Sequence, residues 1–164
     1  MILKSYEYKG KVYSINKTTL EDVPAHIELV RSFWESTGTD IDLQQKVMEQ
    51  SVKQNLSAYV TCNGKIGAVA YLVRERDRLF TARMFWCRSY RETAILFGYA
   101  YYVRNIHTFW FYPHDPDSVP FKKMIATGYD KAWIEDGKPI KVEVNSFWKK
   151  KFNDIYNKAK VVKV

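Results

Sequence analysis

Cysteine is nearly absent from this chain. Its 164 residues include two, Cys62 and Cys87, placed 25 positions apart. There is no CxxC pair and no metal-ligand spacing, which excludes a disulfide framework and a zinc ribbon. Buried free thiols in a reducing cytoplasm are the expectation. Long apolar runs are missing too. The longest, 94–103, is ten residues, too short to span a bilayer. No apolar segment follows Met1-Ile2-Leu3-Lys4, so no signal peptide is expected. Internal repeats and low-complexity stretches are absent.

Aromatic residues are plentiful. They make up 16% of the chain, with 12 Tyr, 9 Phe and 5 Trp, enough to fill a core with large rings. A length of 164 residues suits one domain that buries its core without staples. The formal net charge is +8. Residues 145–164 carry six Lys against one Asp, so a basic tail holds +5 of that surplus. Such a tail suits a solvated helix face or a polyanionic partner.

Local patterns set out an α/β order. Tyr6, Tyr8, Val12 and Ile15 alternate around a Lys9-Gly10-Lys11 turn, reading as an opening strand or hairpin. Thr18 to Pro24 is a helix start, since Thr or Asp can cap free N–H groups and Pro fits the first turn. Val23, Ile27, Val30 and Trp34 then recur at spacings of four, three and four, one face of a helix. A second helix over 43–54 places Leu43, Val47, Met48 and Val52 inward and Gln44, Lys46, Glu49 and Lys53 outward. Strands 58–62 and 66–73 flank Asn63-Gly64, whose positive φ angles suit a two-residue hairpin turn. The run Arg74-Glu75-Arg76-Asp77-Arg78 reads as a charged turn.

The rest is organised around residues 79–129, a strand–helix–strand–helix unit over 81–88, 91–104, 108–112 and 118–126. Open α/β sheets bind ligands at such strand-to-helix turns, where unpaired peptide N–H groups attract anions. A small-molecule site is therefore expected beside Arg88-Ser89-Tyr90-Arg91. Strands 131–134 and 139–144 follow, joined through Asp136-Gly137, and the tail from Ser146 reads as helical. The domain spans 1–144, with 145–164 as the basic tail. His26 and His107 read as structural.

This order resembles the GNAT superfamily, the GCN5-related N-acetyltransferases. Residues 15–25 resemble that family's opening strand and Asp-containing helix start. Asn63-Gly64-Lys65-Ile66-Gly67-Ala68-Val69-Ala70 resembles its hairpin with a hydrophobic-Gly strand. Ser89-Tyr90-Arg91 stands where it often has Pro-x-Tyr-Arg, and 121–128 where it has its last helix. The resemblance implies a mixed, mostly antiparallel sheet flanked by helices and acyl transfer from acetyl-CoA to an amine, without a metal. It implies cofactor contacts from Arg88, Ser89, Tyr90, Arg91, Thr93 and Ala94. Candidate bases are Glu75, His114 and Asp115; candidate acids are Tyr90 and Tyr112.

The chain departs from the family pattern in two places. Arg/Gln-x-x-Gly-x-Gly/Ala becomes Arg91-Glu92-Thr93-Ala94-Ile95-Leu96, with larger residues at the small positions and an added carboxylate. The last helix has Lys122 or Met124 where the family's acidic Tyr stands. Two functions stay open: a divergent N-acyltransferase, or a non-catalytic GNAT-fold component that has lost acetyl-CoA. The second is similar to short phage-encoded GNAT-like proteins, with nucleic acid met through Lys149, Lys150 and Lys151. A cytoplasmic or virion location is expected, and a free sheet edge near the C-terminal strands could serve an oligomer.

Overall fold

A computed structural model describes residues 1–76, 79–88, 90–106, 108–111, 140–143, 150, 153–154 and 160–162. Strands β1 (Ile2–Tyr8) and β2 (Lys11–Lys17) form a hairpin. Helices α1 (Val23–Ser36) and α2 (Ile41–Lys53) follow, then strands β3 (Ser57–Cys62), β4 (Lys65–Arg76) and β5 (Leu79–Cys87). Helix α3 (Tyr90–Tyr102) leads to β6 (Thr108–Phe111), with β7 (Ile140–Glu143) and β8 (Lys160–Val162) closing the list. The eight strands make one sheet in the order β7-β6-β5-β4-β3-β2-β1-β8. Only β5 and β6 pair in parallel among the described residues. This is the crossover read from the strand–helix–strand pattern.

The two faces of the sheet carry two cores. Alternation along a strand sends neighbouring side chains to opposite faces. Ala68 and Leu72 therefore join the cluster under α3, while Val69 and Tyr71 join the one under α1 and α2. Val23, Ile27, Val30 and Trp34 of α1 are all buried there, as their spacing predicts. The carboxylate of Asp22 fixes the start of α1, accepting the Thr19 N–H at 2.8 Å and the Thr19 hydroxyl at 3.1 Å. The carboxylate of Asp40 accepts the Leu43 N–H at 3.1 Å and caps α2. Residues 92–98 of α3 are buried on every side, the start of the apolar run from Ala94 together with Glu92 and Thr93 of the first turn.

Three expectations are corrected. The charged run from Arg74 is not all turn, because β4 continues through Arg76 and pairs with Leu79. Leu43 does not face inward; it is 52% exposed, and α2 buries Met48 and Ser51 instead. Ser51 is tolerated there because its hydroxyl donates to the Leu72 carbonyl at 2.7 Å. The tail is not helical to its end. Lys150, Asn153 and Asp154 are helical, but Lys160–Val162 form β8 on β1. The expected helix over 118–126 and strand over 131–134 lie outside the described residues.

Two hairpin turns are locked side by side. Lys9 and Gly10 have φ of 49° and 73°, and Asn63 and Gly64 have φ of 48° and 80°. These are the left-handed angles that Asn and Gly supply at least cost. Asn63 also clasps the first hairpin: its N–H donates to the Val12 carbonyl at 2.8 Å and its side-chain oxygen accepts the Val12 N–H at 2.9 Å. Asn63→Ala should therefore cost roughly 1–3 kcal/mol, from a strained φ and a lost hydrogen bond. Urea unfolding measures it. An unchanged midpoint would show that the clasp contributes nothing.

Candidate active site

The site is built by two irregularities in the central strands. Tyr71 pairs with Met84 and Leu72 with Ala82, so Arg83 is an extra residue in β5. The bulge shifts the alternation. Ala82 and Phe85, three apart, both join the cluster under α3. A second bulge lies in β4: Val60 pairs with Ala68 and Thr61 with Ile66, leaving Gly67 over. Bulges bend a strand, free backbone groups from the ladder and recur beside active sites.

The described pairing of β5 with β6 stops beside the Arg83 bulge. β6 follows β5 only at Phe80, Thr81 and Ala82. From Arg83 to Cys87, β5 pairs with β4 alone among the described residues. The C-terminal end of β5 leads into the start of α3. The carboxyl end of a parallel strand, beside a helix N-terminus, is the usual place for a ligand in an α/β sheet.

The first turn of α3 is held by close contacts. The Arg88 N–H donates to the Gly67 carbonyl at 2.8 Å. Glu92 is 4% exposed, and its side chain lies over Gly67. A Cβ at position 67 would come within 2.3 Å of Glu92 Cγ. The Arg88 Nη2 pairs with Glu92 Oε1 at 3.2 Å. Arg91 Nη1 donates to the Tyr13 hydroxyl at 2.8 Å, and its guanidinium lies 5.0 Å from the Tyr8 ring centre. Burial raises the Tyr13 hydroxyl pKa, with Arg91 opposing it. Burial pushes the Cys87 thiol up to about 11, with a hydrogen bond from Thr93 opposing and Glu92 adding to it. It stays a thiol at neutral pH and is no nucleophile.

Of the residues singled out in the sequence, Arg88, Tyr90, Arg91, Thr93 and Ala94 fall together at this turn. The side chains of Thr93 and Ala94 are buried, so only their backbone could face an anion. Leu96, at a position the family keeps small, is also turned into the core. Glu75 is exposed on β4, where it is the extra residue between the pairs of Arg74 and Arg76. It stands three residues from Leu72, roughly 10 Å along the strand from the partner of Ala82, and roughly 23 Å from Ala68, the partner of Cys87. The structure does not bring it to Arg88 and Arg91. Ser89, His107, Tyr112, His114, Asp115, Lys149 and Lys151 lie outside the described residues. Lys150 is exposed.

Three participants were missed in the sequence: Tyr13, Tyr8 and Gly67. Tyr13 is 78 positions from Arg91, and no spacing signals that contact. Gly67 was visible only as part of the hydrophobic-Gly strand. On the opposite face, His26 forms a 2.5 Å hydrogen bond through Nδ1 with the Tyr71 hydroxyl and meets the edge of Tyr59. The Tyr59 hydroxyl donates to Asp22 at 3.4 Å. Burial lowers the His26 pKa to about 4, with Asp22 opposing. The ring is structural, as expected. Among the described residues no three His, Cys, Asp or Glu converge on a metal position. An apolar cavity lined by Leu56, Ala58, Ala70, Leu72, Leu96 and Ile106 sits under the C-terminal half of α3, and Ala70 and Leu72 pair with Phe85 and Ala82 on either side of Arg83.

The fold is that of the GNAT acyl-CoA N-acyltransferases. RimJ of Mycobacterium smegmatis, solved in complex with CoA-disulfide, is similar over 95% of this chain and 94% of its own, with a TM-score of 0.55 and 10% identity. The PaiA N-acetyltransferase of Thermoplasma acidophilum, solved in complex with coenzyme A, is similar over 80% of this chain and 98% of its own, with a TM-score of 0.51 and 17% identity. A Bacillus halodurans protein is similar over 96% and 97%, with a TM-score of 0.50 and 15% identity. No family model matches the sequence, and no curated protein matches it.

Proposed function

We propose that the protein is an N-acyltransferase that moves an acyl group from acyl-CoA to an amine. The observation that carries this reading is the bulge at Arg83, beside the last described pair of β5 with β6, Ala82 with Phe111. The bulged stretch of β5 offers a backbone N–H group to a thioester carbonyl, whose oxygen gains negative charge when an amine attacks. The start of α3, with Arg88 and Arg91, suits a pyrophosphate. Arg91 gives one of its five N–H donors to Tyr13. Glu75 or His114 is assigned the role of base for the amine proton, and Tyr90 or Tyr112 that of acid for the leaving thiolate. Such a substrate is met in the cytoplasm.

The fold of the RimJ and PaiA complexes supports the site, since both structures hold a CoA species. Calorimetry with acetyl-CoA tests it. Micromolar binding corresponds to about 8 kcal/mol, and Arg91→Ala should weaken it about tenfold through a lost charge-assisted contact. No binding at millimolar acetyl-CoA would overturn the reading.

One observation favours a second reading, a GNAT-fold binding component without acetyl-CoA. The buried Glu92 carboxylate sits in the first turn of α3, already complementing the helix N-terminus that a phosphate would use. Under that reading the same titration is flat, in both the native protein and Arg91→Ala.

A further inference from the structure

One end of the sheet is strongly basic. The pairs Tyr8 with Lys11, Tyr13 with Cys62, Cys62 with Lys65 and Ala68 with Cys87 put both hairpin turns and the end of β5 on the same side. Lys9, Lys11 and Lys65 are exposed there, and Arg88 and Arg91 stand beside them at the start of α3. Lys160 enters β8 at the same end, in register with Glu7. Among the described residues the nearby acids are Glu7 and Glu92, and Glu92 is buried against Arg88.

The lysines are presented on a stiff support. Asn63 ties the two turns together through both of its bonds to Val12. Lys9 Nζ lies 5.4 Å from the Tyr8 ring centre, a favourable cation–π position. Adjacent strands are about 4.8 Å apart, so β2 with Lys11 and β4 with Lys65 are separated by roughly 10 Å. Cations spread over that distance suit a chain of phosphates.

We propose that the two clasped turns, through Lys9, Lys11 and Lys65, form a docking platform for the phosphodiester backbone of a nucleic acid. The chemistry at this end favours that partner over a protein. Protein interfaces need an apolar centre that sheds water, and Val12, at 39%, is the exposed large apolar side chain on these turns. Met1, Ile2 and Leu3 lie at the far end of β1, and Val103 at the far end of α3. Backbone binding needs only lysines spread along a track, and it carries no sequence preference. The platform adjoins Arg91, which shares the Tyr8 ring with Lys9, but none of its three lysines is assigned to acyl-CoA, and it stands without that assignment.

The test is fluorescence anisotropy with a labelled DNA duplex of about 20 base pairs, at about 50 mM and about 200 mM salt. The native protein should bind at low salt and weaken by about tenfold or more across that range. Lys9→Gln/Lys11→Gln/Lys65→Gln should bind at least tenfold more weakly at low salt, with a salt slope shallower by about 3. Lys65→Gln alone, the mildest change, should lower the slope by about 1. Acetyl-CoA binding, titrated in parallel, should be the same in all variants. Failure of the native protein to bind at low salt overturns the platform. So does equal binding of polyglutamate, or an unchanged slope in the triple variant. Loss of binding in Lys149→Gln/Lys150→Gln/Lys151→Gln, with the platform intact, overturns it too and moves the contact to the tail.

Discussion

Gly67→Ala is expected to cost about 1–3 kcal/mol, the range for an extra carbon forced into a packed site. The new Cβ would meet Glu92 Cγ, Cδ and Oε1, all within 2.7 Å. These atoms are not a free tip. They are the body of a buried side chain whose carboxylate is held by Arg88. Glu92 must therefore leave its place, and the first turn of α3 loses the group that packs it on β4. Thermal unfolding should register a drop of about 2–4 °C per kcal/mol for a chain of this size. Glu92→Ala alone loses packing and an ion pair. The double variant Gly67→Ala/Glu92→Ala should be more stable than the sum of the two losses predicts, because the clash is gone. A positive coupling of 0.5 kcal/mol or more, about the least that contacting residues show, supports the contact. Strict additivity would mean that α3 starts elsewhere.

The Gly67 contact also shows how far the sequence could be read. The Asn63-Gly64 turn was legible because only a few residues adopt positive φ, and each leaves a local mark. The inner face of α1 was legible because four apolar residues repeat at helical spacing. The parallel strand after α3 followed from the length of the crossover. Bulges leave no such mark. Thr81 to Cys87 reads as an unbroken strand, and only the pairing shows Arg83 to be extra. Charge misled at Arg74 to Arg76: an outward-facing strand end is as well solvated as a turn. It lies on a pair that ends at Leu79, and Arg74 rests 5.4 Å from the Phe80 ring centre. Leu43 misled for the opposite reason. One polar residue, Ser51, faces the sheet and makes a hydrogen bond there, which turns the helix away from the apolar-only pattern. The end of the tail was unreadable because three residues are too few for any period to show. For the candidate site, chemistry in the sequence pointed to the turn from Arg88 to Ala94, while the residues that contact it, Tyr8, Tyr13 and Gly67, come from strands distant in sequence.

Acid should expose the other buried polar cluster. His26 is 1% exposed and lies among Tyr71 and Tyr59 from the sheet and Asp22 from the turn before α1. Its pKa falls from 6.5 to about 4, chiefly through burial. The folded protein thus keeps the ring neutral at pH values where the unfolded chain already binds a proton. The stability is present in full above about pH 6.5 and is lost as pH falls toward about 4. At about 1.4 kcal/mol for each tenfold change in protonation, the loss is about 3 kcal/mol. Carboxylates and the other histidines titrate as well, so the informative quantity is a difference. Urea unfolding of the native protein and His26→Gln, repeated between about pH 7.5 and about pH 4.5, isolates it. Gln keeps a hydrogen-bonding group near Tyr71 but takes no proton. The variant should be less stable at neutral pH and should lose its disadvantage as the solution is acidified. A constant gap would mean that folding leaves the His26 pKa where it is in the unfolded chain, and a gap that widens on acidification would mean that the fold raises it. The Asp22 carboxylate would then outweigh burial, and the cluster beneath α1 would be an ion pair rather than a neutral network.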